Sequence, residues 1–418
     1  MRTHAFARRP GFRPALTLAL RSVSDPLLRF RDEFPILSTS TYLVSNSLGA
    51  MPKTVGGQLQ AYASQWETRG VRAWAEGWWE MPVTMGNRIA PLIGASGGEV
   101  VMVPTVTQAM SSILTALDYP VERNEIVMTA LDFPSVRYAY DALAPRLGAR
   151  VTVVPSDDDI GIDLQRLLEA ITPQTRLVAI SHVLFRSAFI QDASAICEKA
   201  RSVGALVALD AYHSVGVIPV DVHALGVDFL CGGVLKWLCG GPGGCFLYAS
   251  PSASAHFAPA LTGWQAHRTP FAFADRMDYA SGGWRWLAGT PAVPALFAGL
   301  EGPRILLEAG IDEVRAKSMR QTAWLVSEAE AREWRVHAPR DAAERGGTIA
   351  FAVPHAAEVA RALLAEDIVI DYRPGAGIRV APHFYTTDEE LVTCVAAIDD
   401  ILATGRWQRF AGVTSTVT

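Results

Sequence analysis

A chain of 418 residues, half of them hydrophobic, can bury one large core and a second, smaller one. Its 37 basic and 42 acidic residues leave a net charge of −5, so no basic surplus points to nucleic acid or to an anionic membrane surface. The mean hydropathy of +0.18 fits a deep core and a large buried interface, because no run of about 18 uncharged apolar residues offers a membrane span.

Residues 1–24 carry Arg2, Arg8, Arg9, Arg13 and Arg21 without any Asp or Glu. The apolar piece Pro14–Leu20 is short and no small-residue cleavage site follows it, so a flexible leader over residues 1–33 is expected, not a signal peptide. Structured sequence is expected from about Phe34. The apolar entry Thr41-Tyr-Leu-Val-Ser45 leads into Asn46-Ser47-Leu48-Gly49, and helical stretches follow through the tryptophan-rich region 66–97. From Val100 to about Tyr248, apolar runs of about five residues alternate with helical runs: Glu125–Thr129, Arg150–Val154, Leu177–Ser181, Ala205–Leu209 and Gly244–Tyr248. Runs of that kind predict a mostly parallel sheet covered on both faces. The large domain is placed at 34–295. Past Pro294 the pattern changes to a charged helix over 311–332, a strand at Thr348–Ala352, a helix over 356–365, the strands Ile368–Asp371 and Gly377–Val380, and a last helix opened by Thr387-Asp-Glu-Glu390. In that last pattern Thr387 can accept from an early helical N–H while Glu390 reaches back, a capping box. A compact α+β domain over 296–418 is expected.

Three features carry chemistry. The apolar run Ala205–Leu209 ends in Asp210, followed by His213. In open α/β sheets ligands sit at the carboxyl ends of strands, so Asp210 points to a site, although an aspartate capping the next turn would look the same. Lys236 stands alone between apolar flanks and precedes Gly240-Gly-Pro-Gly243. A buried lysine is costly unless its charge is paired or its pKa lowered, and lysines that form Schiff bases are the usual exception. The third feature is Val103-Pro-Thr105-Val106-Thr107, which places a strand, a turn and a helix start in order. Free N–H groups at such a start suit a phosphate, and Thr107 can add a hydroxyl; an ordinary N-cap fits the same pattern. Five cysteines, an odd number with no C-x-x-C pair and no spaced Cys/His quartet, fit reduced thiols in the cytoplasm better than disulfides or zinc.

These motifs, with Asn46-Ser-Leu-Gly-Ala-Met-Pro-Lys53, Asp132-Phe133-Pro-Ser135, Ser181-His-Val-Leu-Phe-Arg186, Gly263-Trp264-x-x-His267, Gly289-Thr290-Pro291 and Gly377-Ile-Arg379-Val-Ala-Pro382, resemble class V members of the fold-type I enzymes that use pyridoxal 5′-phosphate (PLP). They resemble the kynureninase family most, over roughly residues 34–402. The resemblance implies an α/β, aspartate-aminotransferase-like fold with a large mostly parallel sheet domain and a smaller C-terminal α+β domain. It implies that Lys236 carries the cofactor as a Schiff base and that Asp210 holds the pyridine nitrogen protonated, so that the ring serves as an electron sink. Phe133 would stack on that ring, Val106 and Thr107 would contact the phosphate, and His213 would lie beside the cofactor. Trp264 and Thr290 would reach a cofactor across a homodimer interface. Arg379 would bind the α-carboxylate of an amino-acid substrate, for which a planar guanidinium is well matched, with Asn46 and Ser47 nearby.

Three positions depart from the resembled family. Leu235 stands where a tyrosine usually precedes the lysine, Val136 where an aspartate follows the Phe-Pro-Ser motif, and Phe185 where a tyrosine precedes Arg186. The implied reaction is hydrolytic Cβ–Cγ cleavage of kynurenine or a related aryl-keto amino acid. Another class V reaction (epimerisation, elimination, desulfuration or transamination) is the alternative. Desulfuration needs a mobile nucleophilic cysteine, and Cys394 is expected on a regular helix.

Overall fold

Thirteen strands occur in the computed structural model, which describes residues 25–412. In chain order they are β1 (Thr41–Tyr42), β2 (Val100–Val103), β3 (Glu125–Thr129), β4 (Arg150–Val154), β5 (Thr175–Ser181), β6 (Leu206–Asp210), β7 (Phe229–Gly233), β8 (Cys245–Ala249), β9 (Arg335–Val336), β10 (Ile349–Ala352), β11 (Ile368–Val369), β12 (Asp371–Arg373) and β13 (Gly377–Val380). Seven of them form the main sheet in the order β2-β8-β7-β6-β5-β3-β4. Only β8 runs against its neighbours; β3, β4, β5, β6 and β7 pair in parallel. Strands β2, β3, β7 and β8 are buried along their whole length, which is why they read as unbroken apolar runs. Two apolar clusters flank the sheet. One holds Val100, Val127, Val178, Leu209 and Leu230; the other holds Val101, Ile126, Leu177, Ala208 and Phe229. Alternate residues of each strand therefore feed opposite cores.

The second sheet, β12-β13-β10-β9, is antiparallel. It shares a core with the helices Ile311–Ala331, Ala356–Leu364 and Asp388–Thr404. The expected capping box is present: the Glu390 amide donates to Thr387 Oγ1 at 3.2 Å, and the Thr387 amide to Glu390 Oε2 at 2.8 Å. No helix among the described residues is long and apolar enough to cross a membrane.

Two boundaries differ from expectation. Residues Pro26–Glu33, expected in the leader, form a 3-10 helix whose Leu27 and Phe30 are buried; Asp25 caps it, and Phe30 packs edge-on to Phe384. Apolar residues three apart suffice to dock one short helix. The arginine-rich stretch 1–24 lies outside the described residues. The division at 295/296 is also not clean. Ile305, Leu306 and Ala309 belong to the large core, whereas β1 pairs in parallel with β11 and Leu43 sits in the small core.

Candidate active site

The carboxyl ends of β3, β5, β6 and β7 converge on a cavity of about 340 Å³, within the range of small-molecule sites. Asp210 closes β6 and is buried, and its Oδ1 accepts from the Tyr212 amide at 2.9 Å. Burial pushes its carboxyl up to about 6; the Tyr212 amide and the charge of Lys236 pull the other way. Lys236 follows β7. Burial drops its amine to about 7, Asp210 opposes that fall, and Arg379 and Arg373 add to it. Its Nζ lies 2.6 Å from His213 Nε2. His213 is held well below the usual histidine range, first by burial and then by the charges of Lys236, Arg379 and Arg373. A neutral ring beside a lysine of lowered pKa can share a hydrogen bond with the amine and orient it.

The other walls follow from local structure. Asp132 is buried between strand ends: Oδ2 accepts from the Thr129 amide at 2.7 Å and Oδ1 from the Ser181 amide at 2.6 Å. This clamp ties β3 to β5 and sets the next residue, Phe133, at the start of the helix Pro134–Leu143. There its ring meets Phe185 edge-on at 5.2 Å, and Lys236 Nζ lies 5.7 Å from its centroid. The helix Val106–Thr115 begins at the cavity. Thr105, not Thr107, caps it by accepting from the Gln108 amide at 3.1 Å. Val106 and Thr107 both line the cavity, with first-turn amides that no helix carbonyl can accept.

Arg379 on β13 is almost fully buried. Its Nε and Nη2 donate to Asp371 Oδ1 and Oδ2 at 2.7 and 2.5 Å, and its Nη1 donates to the Phe185 carbonyl at 2.6 Å. One N–H on each of Nη1 and Nη2 is left for a second carboxylate. Its ion pair is thus with a buried acid on the adjacent strand; it fixes the guanidinium and does not use it up. Arg379 does not line the cavity, but its charge reaches Lys236 and His213.

Asn46 is buried with neither Nδ2 nor Oδ1 hydrogen-bonded, and Ser47 is half-buried beside it. Their segment lies on the lysine loop, where the Gly49 amide donates to the Leu235 carbonyl at 2.8 Å. A Cβ at Gly49 would stand 2.1 Å from the Lys236 carbonyl oxygen, so only glycine permits the approach.

Trp264 and Thr290 are not brought to this cavity. Thr290 is exposed, and Trp264 sits in a separate aromatic group with Trp79, Phe271 and Phe273. Of the three departures, Leu235 and Phe185 line the cavity, while Val136 packs into the core behind it. Sequence reasoning missed Tyr212 and Cys245 on the cavity wall and Asp371 behind Arg379. Tyr212 lies inside the Asp210-x-x-His213 motif, and Cys245 ends the glycine cluster. The spacing to Asp371 carried no signal, because strand pairing brings it to Arg379.

These groups fit PLP. The lysine amine is available near neutrality, a buried carboxylate can meet a ring nitrogen, an aromatic ring flanks the amine, and first-turn amides at a helix start suit a phosphate. The sequence pattern described as Aminotransferase class-V matches residues 41–390. Proteins named kynureninase from Burkholderia pseudomallei (strain 1106a) and Pseudomonas fluorescens are 30% identical over 397 residues and 31% over 398, in each case 92% of this chain and 94% of the relative. Among solved structures, the apo cysteine desulfurase of Thermococcus onnurineus NA1 superposes with a TM-score of 0.81 at 22% identity, covering 92% of this chain and 99% of that one. A structure described as a C-DES mutant with glycine covalently linked to its PLP cofactor has a TM-score of 0.79 at 21% identity, covering 88% and 99%. Fold, site chemistry and sequence agree: the chain belongs to the class-V aminotransferase family of PLP-dependent enzymes.

Proposed function

We propose that the chain is a kynureninase-like hydrolase that cleaves the Cβ–Cγ bond of an aryl-keto amino acid. The likeness to kynureninases along 92% of the chain carries this reading. PLP, once bound, supplies an electron sink for the substrate α-carbon. The residues do the rest. Arg379 binds the α-carboxylate with the edge that Asp371 leaves open. Lys236 takes the α-proton as a neutral amine, and the hydrogen bond it shares with His213 orients it. Water adds to the side-chain carbonyl carbon, which leaves as an aromatic carboxylic acid. The bonding pair of Cβ–Cγ stays on Cβ, which gains a proton and becomes the methyl group of alanine.

The cysteines weigh against desulfuration as the second reading. All five are buried. Cys394 lies inside the helix Asp388–Thr404, and burial pushes both its thiol and that of Cys245 up to about 12. A nucleophilic thiolate is therefore not at hand. The apolar Leu235 and Phe185 favour a modified kynurenine or another aryl-keto substrate over L-kynurenine itself, since a site without hydrogen-bonding groups cannot select for polar ones. This reading includes a cytoplasmic homodimer. Exposed Trp264, Phe271 and Phe273 suit a second copy, from which Trp264 and Thr290 would reach the neighbour's cofactor. Sedimentation of a fully active monomer would refute the dimer.

The test of the reaction is to incubate holoenzyme with a panel of amino acids that includes L-kynurenine and 3-hydroxykynurenine, and to assay alanine and the aromatic acid together. Alanine released in equal amount with an aromatic acid supports hydrolysis; sulfide, a racemised amino acid or a keto acid overturns it. On L-kynurenine, kcat/KM is expected below roughly 10⁴ M⁻¹s⁻¹, the lower bound for efficient enzymes, and to rise in Leu235→Tyr.

A further inference from the structure

We propose that Tyr212 forms a second aromatic wall of the cofactor slot, facing Phe133 across the Lys236 amine. Lys236 Nζ lies over both rings, 4.4 Å from the Tyr212 centroid and 5.7 Å from that of Phe133. A flat ring attached to that nitrogen enters the space between them, and both aromatic residues line the cavity.

The position of Tyr212 is built, not incidental. Its amide is tied to Asp210 Oδ1 at 2.9 Å, so the group that meets the pyridine nitrogen also sets the backbone of the wall. At the other end its hydroxyl lies against the Cys245 thiol, and that thiol in turn faces the Val106 amide at the start of the helix Val106–Thr115. Tyr212 therefore spans the site from the ring-nitrogen end to the phosphate end. The ring passes directly over Gly233, the last residue of β7. A Cβ there would stand 2.0 Å from Tyr212 Cζ and 2.1 Å from its hydroxyl oxygen, and its three nearest atoms would all belong to Tyr212. Gly233 keeps an ordinary strand backbone, so the missing side chain serves only to admit the tyrosine.

An electron-rich face on each side of the amine stabilises a positive nitrogen there, and a stacked ring adds area to the cofactor's binding surface. The wall also compensates for the apolar Leu235 next to the lysine: this chain holds the cofactor more by aromatic contact and less by hydroxyl groups.

The test uses holoenzyme and its cofactor dissociation constant, read by equilibrium dialysis, with the visible circular dichroism of bound PLP as a second readout. Tyr212→Leu is expected to weaken PLP binding on the order of tenfold and to reduce the dichroic band. Tyr212→Phe keeps the wall and is expected to stay within about threefold of the native value. Gly233→Ala displaces the ring and is expected to weaken binding in the native background but not in Tyr212→Leu. That variant also reads the wall should Tyr212→Leu fold poorly. Native affinity and dichroism in Tyr212→Leu would overturn the proposal. So would equal losses in Tyr212→Phe and Tyr212→Leu, or a Gly233→Ala loss of the same size in both backgrounds.

Discussion

Removing the acid behind Arg379 separates its structural work from the substrate binding proposed for it. The Arg379 and Asp371 side chains are 2% and 0% exposed and meet through two hydrogen bonds of 2.7 and 2.5 Å. Both charges are desolvated, so Asp371→Asn leaves a guanidinium buried without its counter-charge, at a cost of about 3–5 kcal/mol. With a urea dependence of about 3 kcal/mol per molar, the unfolding midpoint falls by roughly 1 M or more. The double replacement Asp371→Leu/Arg379→Met removes both charges and is expected to recover most of that stability, as apolar substitutes for buried pairs often do. The two proteins then part in their chemistry. Asp371→Asn keeps a misaligned guanidinium and binds amino acids weakly; the double variant, lacking it, produces no change in the cofactor spectrum at any amino-acid concentration. Urea titration and amino-acid titration of the visible spectrum measure the two effects. An unchanged midpoint and unchanged amino-acid affinity in Asp371→Asn would refute the argument that this pair is buried and aligns Arg379.

Borohydride reduction of holoenzyme should fix the cofactor on the peptide containing Lys236, and Lys236→Ala should abolish turnover; peptide mapping that finds another lysine would reassign the site. If Asp210 pairs with the ring nitrogen as proposed, Asp210→Asn should slow turnover roughly a hundred- to a thousandfold, the equivalent of about 3–4 kcal/mol. The pH dependence of cofactor capture follows from the depressed Lys236. A lysine whose folded pKa is about 7 is an uncharged nucleophile above that pH, so capture by the apo-enzyme should rise through pH 7 and level off, instead of climbing toward the ordinary lysine value of 10.5. Stopped-flow absorbance measures it, and a rate still rising steeply above pH 9 would show that the amine is not desolvated.

Much of the main sheet was legible because most of its strands are buried on both faces and say so in apolar runs: Glu125–Thr129 and Leu177–Ser181 fall where expected, and the half-buried edge strand Arg150–Val154 shows itself by its valines. Asp210, Lys236 and Phe133 were legible for a related reason. Each follows an apolar strand or its turn, and function gathers where such strands end. Asp371 was not, because an acid on the strand beside its arginine gains meaning only from register. Tyr212 was hidden by its own motif: attention goes to the polar ends of Asp210-x-x-His213, while the aromatic between them reads as core. The helix Pro26–Glu33 was missed because a short apolar pair after a charged leader looks like any other polar-flanked fragment.

The segment Thr41–Ala50 joins parts of the molecule that are remote in sequence. It pairs with β11, bridges Val44 to Ala381, shares a hydrogen bond between Ser45 and the Tyr385 hydroxyl across 340 residues, and then rests on the lysine loop through Gly49. With Arg379 held to Phe185 across 194 residues, this means that the site is finished by contacts of very high sequence separation. Such contacts form late, after their loop-closure entropy has been overcome. A nascent chain that has made every strand of the main sheet still lacks β11, β13 and Tyr385, and so has no settled support beneath Lys236. The support beneath Lys236 is therefore set only once residues 368–385 have folded back onto Thr41–Ala50, long after the main sheet's own strands have been made.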